Sequence, residues 1–307
     1  MNSLQTLDPW FRLLRLPNLL TVPGDPIAGT LLAAAALSRT PDVLATAAAA
    51  GASLCLYAFG LILNDLMDIG ADRLERPDRP LPSGAITVPQ ARMAAIAMAL
   101  SGLNLALTAG RPSLYAAVVL ATLILLYNGG VKRIPVVGAL TMGLCRGTSL
   151  SLGALTLGTP AFVGHGGLVL LAAVGLTLCV AAFSALAAHE MDTEKPPGSL
   201  RWLPFVALLI TLPAVLVAGA AQHRPEPLIP FIYVFLMVMT LMRAWLLGGI
   251  LYRLQPVPST IGGHIRNLLM VQACFCLAAG PCGLLPALFF VLLSFAFPRL
   301  SARFYSS

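Results

Sequence analysis

The sequence predicts an all-α, polytopic membrane bundle, and three observations carry that prediction. Of 307 residues, 58% are hydrophobic and only 10% charged, whereas a water-soluble domain covers itself with roughly a quarter charged side chains. Apolar runs of about 20 residues, enough for a helix to cross a hydrocarbon core about 30 Å thick, recur from end to end. The runs are continuous rather than alternating. Backbone groups in lipid must pair within their own segment, so these runs read as helices and not as barrel strands.

The spans fall near 17–37, 43–63, 92–110, 112–127, 136–157, 165–188, 201–221, 228–252, 264–280 and 281–298. Gly280-Pro281 divides the last two, so the count is nine, or ten if both cross. Met1–Arg15 holds Asp8, Arg12 and Arg15 with no apolar stretch before them, so the first span reads as retained rather than cleaved. The chain reads as one membrane domain, 1–307, with cap loops near 64–91, 127–135, 189–200 and 253–265. The six cysteines lie within apolar spans without C-x-x-C spacing and read as small buried hydrophobes.

The formal charge is +7, but the basic residues form no cluster or stripe of the kind that binds nucleic acid. They alternate between loops instead. Arg12, Arg15, Arg73, Arg76, Arg79, Lys132, Arg133, Lys195, Arg201, Arg253 and Arg266 share one side, against Arg39, Arg111 and Arg224 on the other. By the positive-inside bias the first side, with the N-terminus, is cytoplasmic.

Of 12 acidic residues, eight occupy two short stretches: Asp65, Asp68, Asp72, Glu75 and Asp78, then Glu190, Asp192 and Glu194. Four spans separate the stretches, an even number, so both fall on the cytoplasmic face. Asn64, Asp68 and Asp72 are spaced i, i+4, i+8 and drift by only about 40° per step around a helix, so they form a row of oxygens along one helical face. Glu190 and Glu194 repeat the i, i+4 spacing. Hard oxygens of this kind suit Mg²⁺, held by one or two carboxylates together with substrate phosphates. Arg76, Arg79, Lys132 and Arg133 can neutralise those phosphates, arginine with a planar fork and lysine as a point charge. Glu75 and Asp78 read equally well as ordinary charges of a wet loop.

The stretch Asn64-Asp65-Leu66-Met67-Asp68-Ile69-Gly70-Ala71-Asp72, followed by Arg79-Pro80-Leu81-Pro82-Ser83-Gly84, resembles the first signature of the UbiA superfamily of intramembrane prenyltransferases, N-x-x-x-D-x-x-x-D and then R-P-L-P-S-G. Arg15-Leu16-Pro17-Asn18 and Tyr127 with Lys132-Arg133 are similar to further elements of that family, although Lys132 comes one residue later than its Y-x-x-x-K spacing. The resemblance runs from about residue 12 to 280. It implies a helical bundle open to lipid, in which Mg²⁺ holds an isoprenyl diphosphate whose chain is transferred to an aromatic or other lipophilic acceptor. On that reading Asn64, Asp68 and Asp72 bind Mg²⁺. Arg76, Arg79, Tyr127, Lys132, Arg133 and Asn18 serve the substrate, and the protein is a multi-pass membrane enzyme, in the inner membrane if bacterial.

The family's second signature, D-x-x-x-D ahead of a glycine, is altered here: Glu190 and Glu194 stand at the acidic positions before Gly198. The longer carboxylate arms of Glu190 and Glu194 can still hold Mg²⁺, but their geometry is less constrained while the ion's octahedral demand is strict. The EboC-like branch also carries glutamate in this region, and Met142–Gly147 looks like its sequence. Arg146 and Arg243 fall near the middle of apolar spans, where an ionised side chain costs at least about 2.5 kcal/mol, so each must face the bundle. For Arg146 a substrate contact and a pairing with carbonyls are equally supported; for Arg243 the pairing is favoured. Asp25, beside Pro26, reads as a base toward an acceptor or as the cap of a kinked helix, the cap being favoured. The four histidines are scattered, and no zinc site is expected.

The competing reading is a carrier of lipid or metabolite that keeps this scaffold without its chemistry. A secondary transporter with a coupling ion would place its acids near the bilayer midplane, and these lie at one end.

Overall fold

A computed structural model describes residues 3–163, 167–189, 198–222, 228–254 and 257–304. These residues are all helical or in turns, with no strand among them. The helices are α1 (Ser3–Leu13), α2 (Leu16–Leu19), α3 (Gly24–Leu37), α4 (Val43–Glu75), α5 (Val88–Ala109), α6 (Arg111–Asn128), α7 (Pro135–Ala154), α8 (Pro160–Val163), α9 (Leu168–Ala187), α10 (Leu203–Ala220), α11 (Leu228–Gly248), α12 (Ile250–Leu254), α13 (Val257–Ala278) and α14 (Leu284–Phe304).

Eight segments are long and apolar enough to cross a bilayer. Arg146 and several hydroxyl residues make α7 more polar, yet it packs between α3, α6 and α9. With α7 and α14 the long segments among the described residues number ten, matching the upper of the two expected counts.

Local chemistry sets the helix ends. Asp42 caps α4, its Oδ1 accepting from the amides of Leu44 at 2.8 Å and Ala45 at 3.4 Å. Thr87 opens α5 with a reciprocal capping box to Gln90, which satisfies two amides that have no partner within the helix. Prolines in the first turns of α2, α6, α7 and α10 lack only N–H groups that would go unpaired there.

The first span, α9 and α13 are the best enclosed, with 83%, 61% and 72% of their spanning windows buried, against 22% for α5. The former make the centre of the bundle and α5 part of its lipid-facing wall. Packing around α7 depends on small residues, which let helix backbones approach where lipid offers no hydrophobic drive for association. Gly143 and Gly147 lie one turn apart, and a methyl group on either would collide with the backbone or side chain of Thr177 on α9. Gly143 faces Thr177 and Ala181 while Gly147 faces Ala173 and Thr177, so α7 and α9 run antiparallel. The end of α9 at Ala187 therefore lies beside the start of α7.

At 33 residues α4 is about 50 Å long, well beyond the hydrocarbon thickness of about 30 Å. Its last turns project past the membrane core as helix. The cap loop expected near 64–91 therefore shrinks to the connection between Glu75 and Val88, and most of the loop expected near 253–265 is instead the start of α13. In both places the helix runs beyond the apolar count, at the end of α4 and at the start of α13, because polar residues continue a helix outside lipid.

Candidate functional site

The projecting end of α4 carries Asn64, Asp65, Asp68 and Asp72. The helical row expected from their spacing is present, but its members take different partners. Lys132 Nζ donates to Asn64 Oδ1 at 3.0 Å and to both oxygens of Asp68 at 2.6 and 2.7 Å. Asp72, buried, accepts from Arg79 Nη1 at 2.7 Å. Asp65, also buried, pairs with Arg15 Nη2 at 3.4 Å.

Lys132 reaches this point despite its late spacing. Gly130 adopts φ 140°, a conformation that side chains disfavour, and the single 3₁₀ turn Val131–Arg133 then turns the lysine back toward α4. Gly138, at the start of α7, lies against the backbone of Lys132. The extra residue is absorbed by the turn.

The connection after α4 is held by its own backbone: Arg79 N donates to Arg76 O, Ser83 N to Arg79 O and Ile86 N to Pro80 O. Leu81 and Ile86 are buried beneath it. That anchoring points Arg79 back at Asp72. Arg12 Nη2 donates to the carbonyl of Asp78 at 3.2 Å, tying α1 to the same connection. Arg76 and Tyr127 are half-buried, Arg133 is exposed and Asn18 is buried in α2. Glu190 and Glu194 lie outside the described residues.

Among the described residues no three Asp, Glu, His or Cys side chains converge on one point. Asn64 and Asp68, however, do converge on a cation, with three oxygens within 3.0 Å of one ammonium nitrogen. This donor set is hard, oxygen-only and already turned toward positive charge, so it fits Mg²⁺. The expectation that Asp72 joins the same ion meets a difference here, since Arg79 holds its carboxylate.

In the membrane interior the expectation for Arg146 is met in part and that for Asp25 is corrected. Arg146 is 6% exposed and commits its guanidinium to Asp25, which is fully buried. Nε lies 2.7 Å from Oδ2 as an ion pair off the hydrogen-bond line, and Nη2 donates to Oδ1 at 3.1 Å. The arginine thus meets neither an open cavity nor carbonyls alone, although Nη2 also donates to Thr21 O at 2.9 Å. Asp25 is no helix cap, because α3 starts without a side-chain cap. Gln272 on α13 completes the cluster, its Nε2 donating to Thr21 O at 2.6 Å and Asp25 Oδ1 at 2.7 Å. Thr21 lies in the break between α2 and α3, where the carbonyls have lost their helical partners. Nothing in sequence linked Gln272 to residues about 250 positions away. Arg243 donates to Ser294 Oγ of α14 at 3.2 Å, in keeping with pairing inside the bundle.

Fold and site together define a multi-pass integral membrane protein with an acid–base, cation-collecting site at one end of its bundle. Residues 26–248 match the UbiA prenyltransferase family model, and the chain belongs to that family. Relatives include the digeranylgeranylglyceryl phosphate synthases of Methanoculleus marisnigri, 28% identical over 66% of this chain and 69% of the relative, and of Ignicoccus hospitalis, 28% identical over 82% and 81%. Among solved structures, a UbiA homolog from Aeropyrum pernix K1 superposes with TM-score 0.62 at 19% identity, covering 83% of this chain and 96% of that one. A UbiA homolog from Archaeoglobus fulgidus bound to GPP and Mg²⁺ gives 0.56 at 16% identity, over 94% and 99%.

Proposed function

We propose that this chain transfers an isoprenyl group from a polyprenyl diphosphate to a lipophilic or aromatic acceptor within the membrane, with Mg²⁺ as cofactor and the active face cytoplasmic. The observation that carries the reading is the convergence of Asn64 and Asp68 on the Lys132 ammonium beside the Arg79–Asp72 pair. Carboxylates alone would repel a diphosphate, and a cationic layer between them removes the conflict.

Asn64 and Asp68, with Asp72 once Arg79 turns to phosphate, would hold the ion; Glu190 and Glu194 are proposed to add ligands from the second stretch. When bound, Mg²⁺ neutralises charge developing on the departing diphosphate. Lys132, displaced from Asp68, and Arg79, Arg76 and Arg133 supply further positive charge at the same end, where the leaving group's charge grows. Tyr127 and Asn18 are proposed to contact the substrate. The apolar bundle beneath accommodates the isoprenyl chain and keeps water from an allylic cation. Relatives named for a glyceryl phosphate lipid support a lipid acceptor, in the inner membrane if the source is bacterial.

The test is binding of geranyl, farnesyl and geranylgeranyl diphosphates by the full chain in nanodiscs, with and without Mg²⁺, alongside an Asp68→Ala, Asp72→Ala variant. Mg²⁺-dependent binding that the variant loses is expected. A well-folded protein that binds none of the three would sink the proposal in favour of a carrier on this scaffold.

A further inference from the structure

A further polar feature lies apart from the acid–base site and from the Asp25 cluster. From Leu228 to Ser307 the sequence carries five arginines, Arg243, Arg253, Arg266, Arg299 and Arg303, and no Asp or Glu. Helices α11, α13 and α14 therefore hold positive charge that none of their own residues neutralises. Arg243 and Arg266 stand within the apolar stretches of their helices, where an ionised side chain needs a partner. Arg243 Nη1 donates to Ser294 Oγ of α14 at 3.2 Å. Its Nη2 and the Nε of Arg266 are buried without a hydrogen-bond partner, and neither arginine forms an ion pair among the described residues.

Helix contacts bring the two arginines level. Helices α11 and α13 run antiparallel, Asn267 meeting Thr240 and Gly263 meeting Leu247. Arg243 lies between Thr240 and Leu247 on one helix, and Arg266 between Gly263 and Asn267 on the other. Helix α14 returns along α13 from the turn at Gly283, which packs on Cys276. Counting ten residues back from Cys276 gives Arg266, and ten on from Gly283 gives Leu293, next to Ser294. Around α13, Asn267 points to α11, Gln272 to α3 and His264 to Phe183 of α9. Arg266, about 100° from Asn267 and about 120° from Gln272, points between them, to the side left for α14.

Depth and chemistry select the occupant. Leu186, near the end of α9, packs with Val257 and Ile261 at the start of α13, so these arginines lie toward the end of the bundle that carries the acid–base site. Arg243 precedes Gly248, the end of α11, by only about 7 Å of helix. Trp245, 46% exposed, marks the interfacial level at which tryptophan gathers. Long basic side chains at such a depth reach the headgroups. Both arginines are part-buried, so a turn of the guanidinium carries its unpaired donors to the lipid-facing side. Two planar forks and a hydroxyl without a carboxylate suit a phosphate, and basic pockets between membrane helices hold anionic headgroups. Helix α4 packs on α3, α5, α6 and α7, which separates this place from the Asn64–Asp68–Lys132 site.

We propose that Arg243, Arg266 and Ser294 form a seat for the phosphate of an anionic bilayer lipid, which fastens α14 to α11 and α13 and is not a substrate. The proposal stands independently of the transferase reading.

The test uses the full chain with Trp10→Phe and Trp202→Phe, which leaves Trp245 as its one tryptophan. It is reconstituted in phosphatidylcholine vesicles containing rising fractions of brominated phosphatidylglycerol or, in parallel, brominated phosphatidylcholine, whose headgroup carries no net charge. Quenching of Trp245 should half-saturate at about tenfold less phosphatidylglycerol, since each arginine near an anionic surface contributes about fivefold. Arg243→Gln with Arg266→Gln should bring the two lipids level, Arg243→Lys should keep part of the preference, and Arg253→Gln on α12 should keep all of it. Native mass spectrometry of the unsubstituted chain, comparing retained phosphatidylglycerol with phosphatidylcholine, reads the same preference without a variant. Inorganic phosphate should leave the quenching unchanged; displacement by it would give the arginines to a soluble anion instead. Equal quenching by the two lipids, a preference that survives the double substitution, or an equal loss from Arg253→Gln overturns the proposal.

Discussion

Lys132 is the residue on which the site turns. Its ammonium takes the position where Asn64 and Asp68 oxygens gather, so on the proposed reading lysine and a divalent ion would compete for one place. Lys132→Met should therefore strengthen Mn²⁺ binding in the absence of substrate by several-fold, while weakening prenyl diphosphate binding in Mg²⁺ by tenfold or more. Titrations followed by manganese spin resonance and calorimetry would read both. A variant that loses metal and diphosphate together would show that lysine orders the carboxylates rather than contending for their place. Asn64, Asp68 and Asp72 were legible from spacing alone, because four residues per step keeps side chains on one helical face. Their separate partners were not, since Arg79 and Lys132 come back through turns that no periodicity describes.

At the scale of elements, the broken first span is tied to α7 and α13 by one buried polar cluster. Removing one member of a buried ion pair strands the other charge at about 3–5 kcal/mol, whereas replacing both is much milder. Arg146→Leu should accordingly lower stability by about 3–5 kcal/mol, with Asp25→Asn, Arg146→Gln together losing less and diphosphate affinity staying within twofold. Denaturation in nanodiscs beside ligand titration would measure this. Unchanged stability with acceptor binding lost would restore Arg146 as a substrate ligand. Sequence reading recognised that an arginine in mid-span must find a partner. Which partner depended on the antiparallel packing of α3 against α7, where Pro26 meets Gly153 and Gly29 meets Leu150.

For the whole molecule, the cytoplasmic placing of the site is a proposal that rests on charge. In a Cys282→Ser background, which removes the exposed native thiol, Ser83→Cys on the connection after α4 should react with an impermeant maleimide only where the cytoplasmic face is open. Ser38→Cys should react only from the other side, and the reverse labelling pattern would overturn the cytoplasmic assignment. Composition and run length by themselves determined the class, a helical bundle in lipid, because a bilayer leaves the backbone no other way to satisfy its hydrogen bonds. The order of charges along the chain placed the two acid stretches at one end, as the antiparallel α7–α9 packing supports for the segment that leads to the second. Only the tertiary structure decided that α4 carries its acids beyond the membrane as continuous helix, that Lys132 and Arg79 fold back onto them, and that Arg243 and Arg266 come level beside α14. Those outcomes rest on distances between residues far apart in sequence, which turns and close helix contacts set and local pattern does not encode.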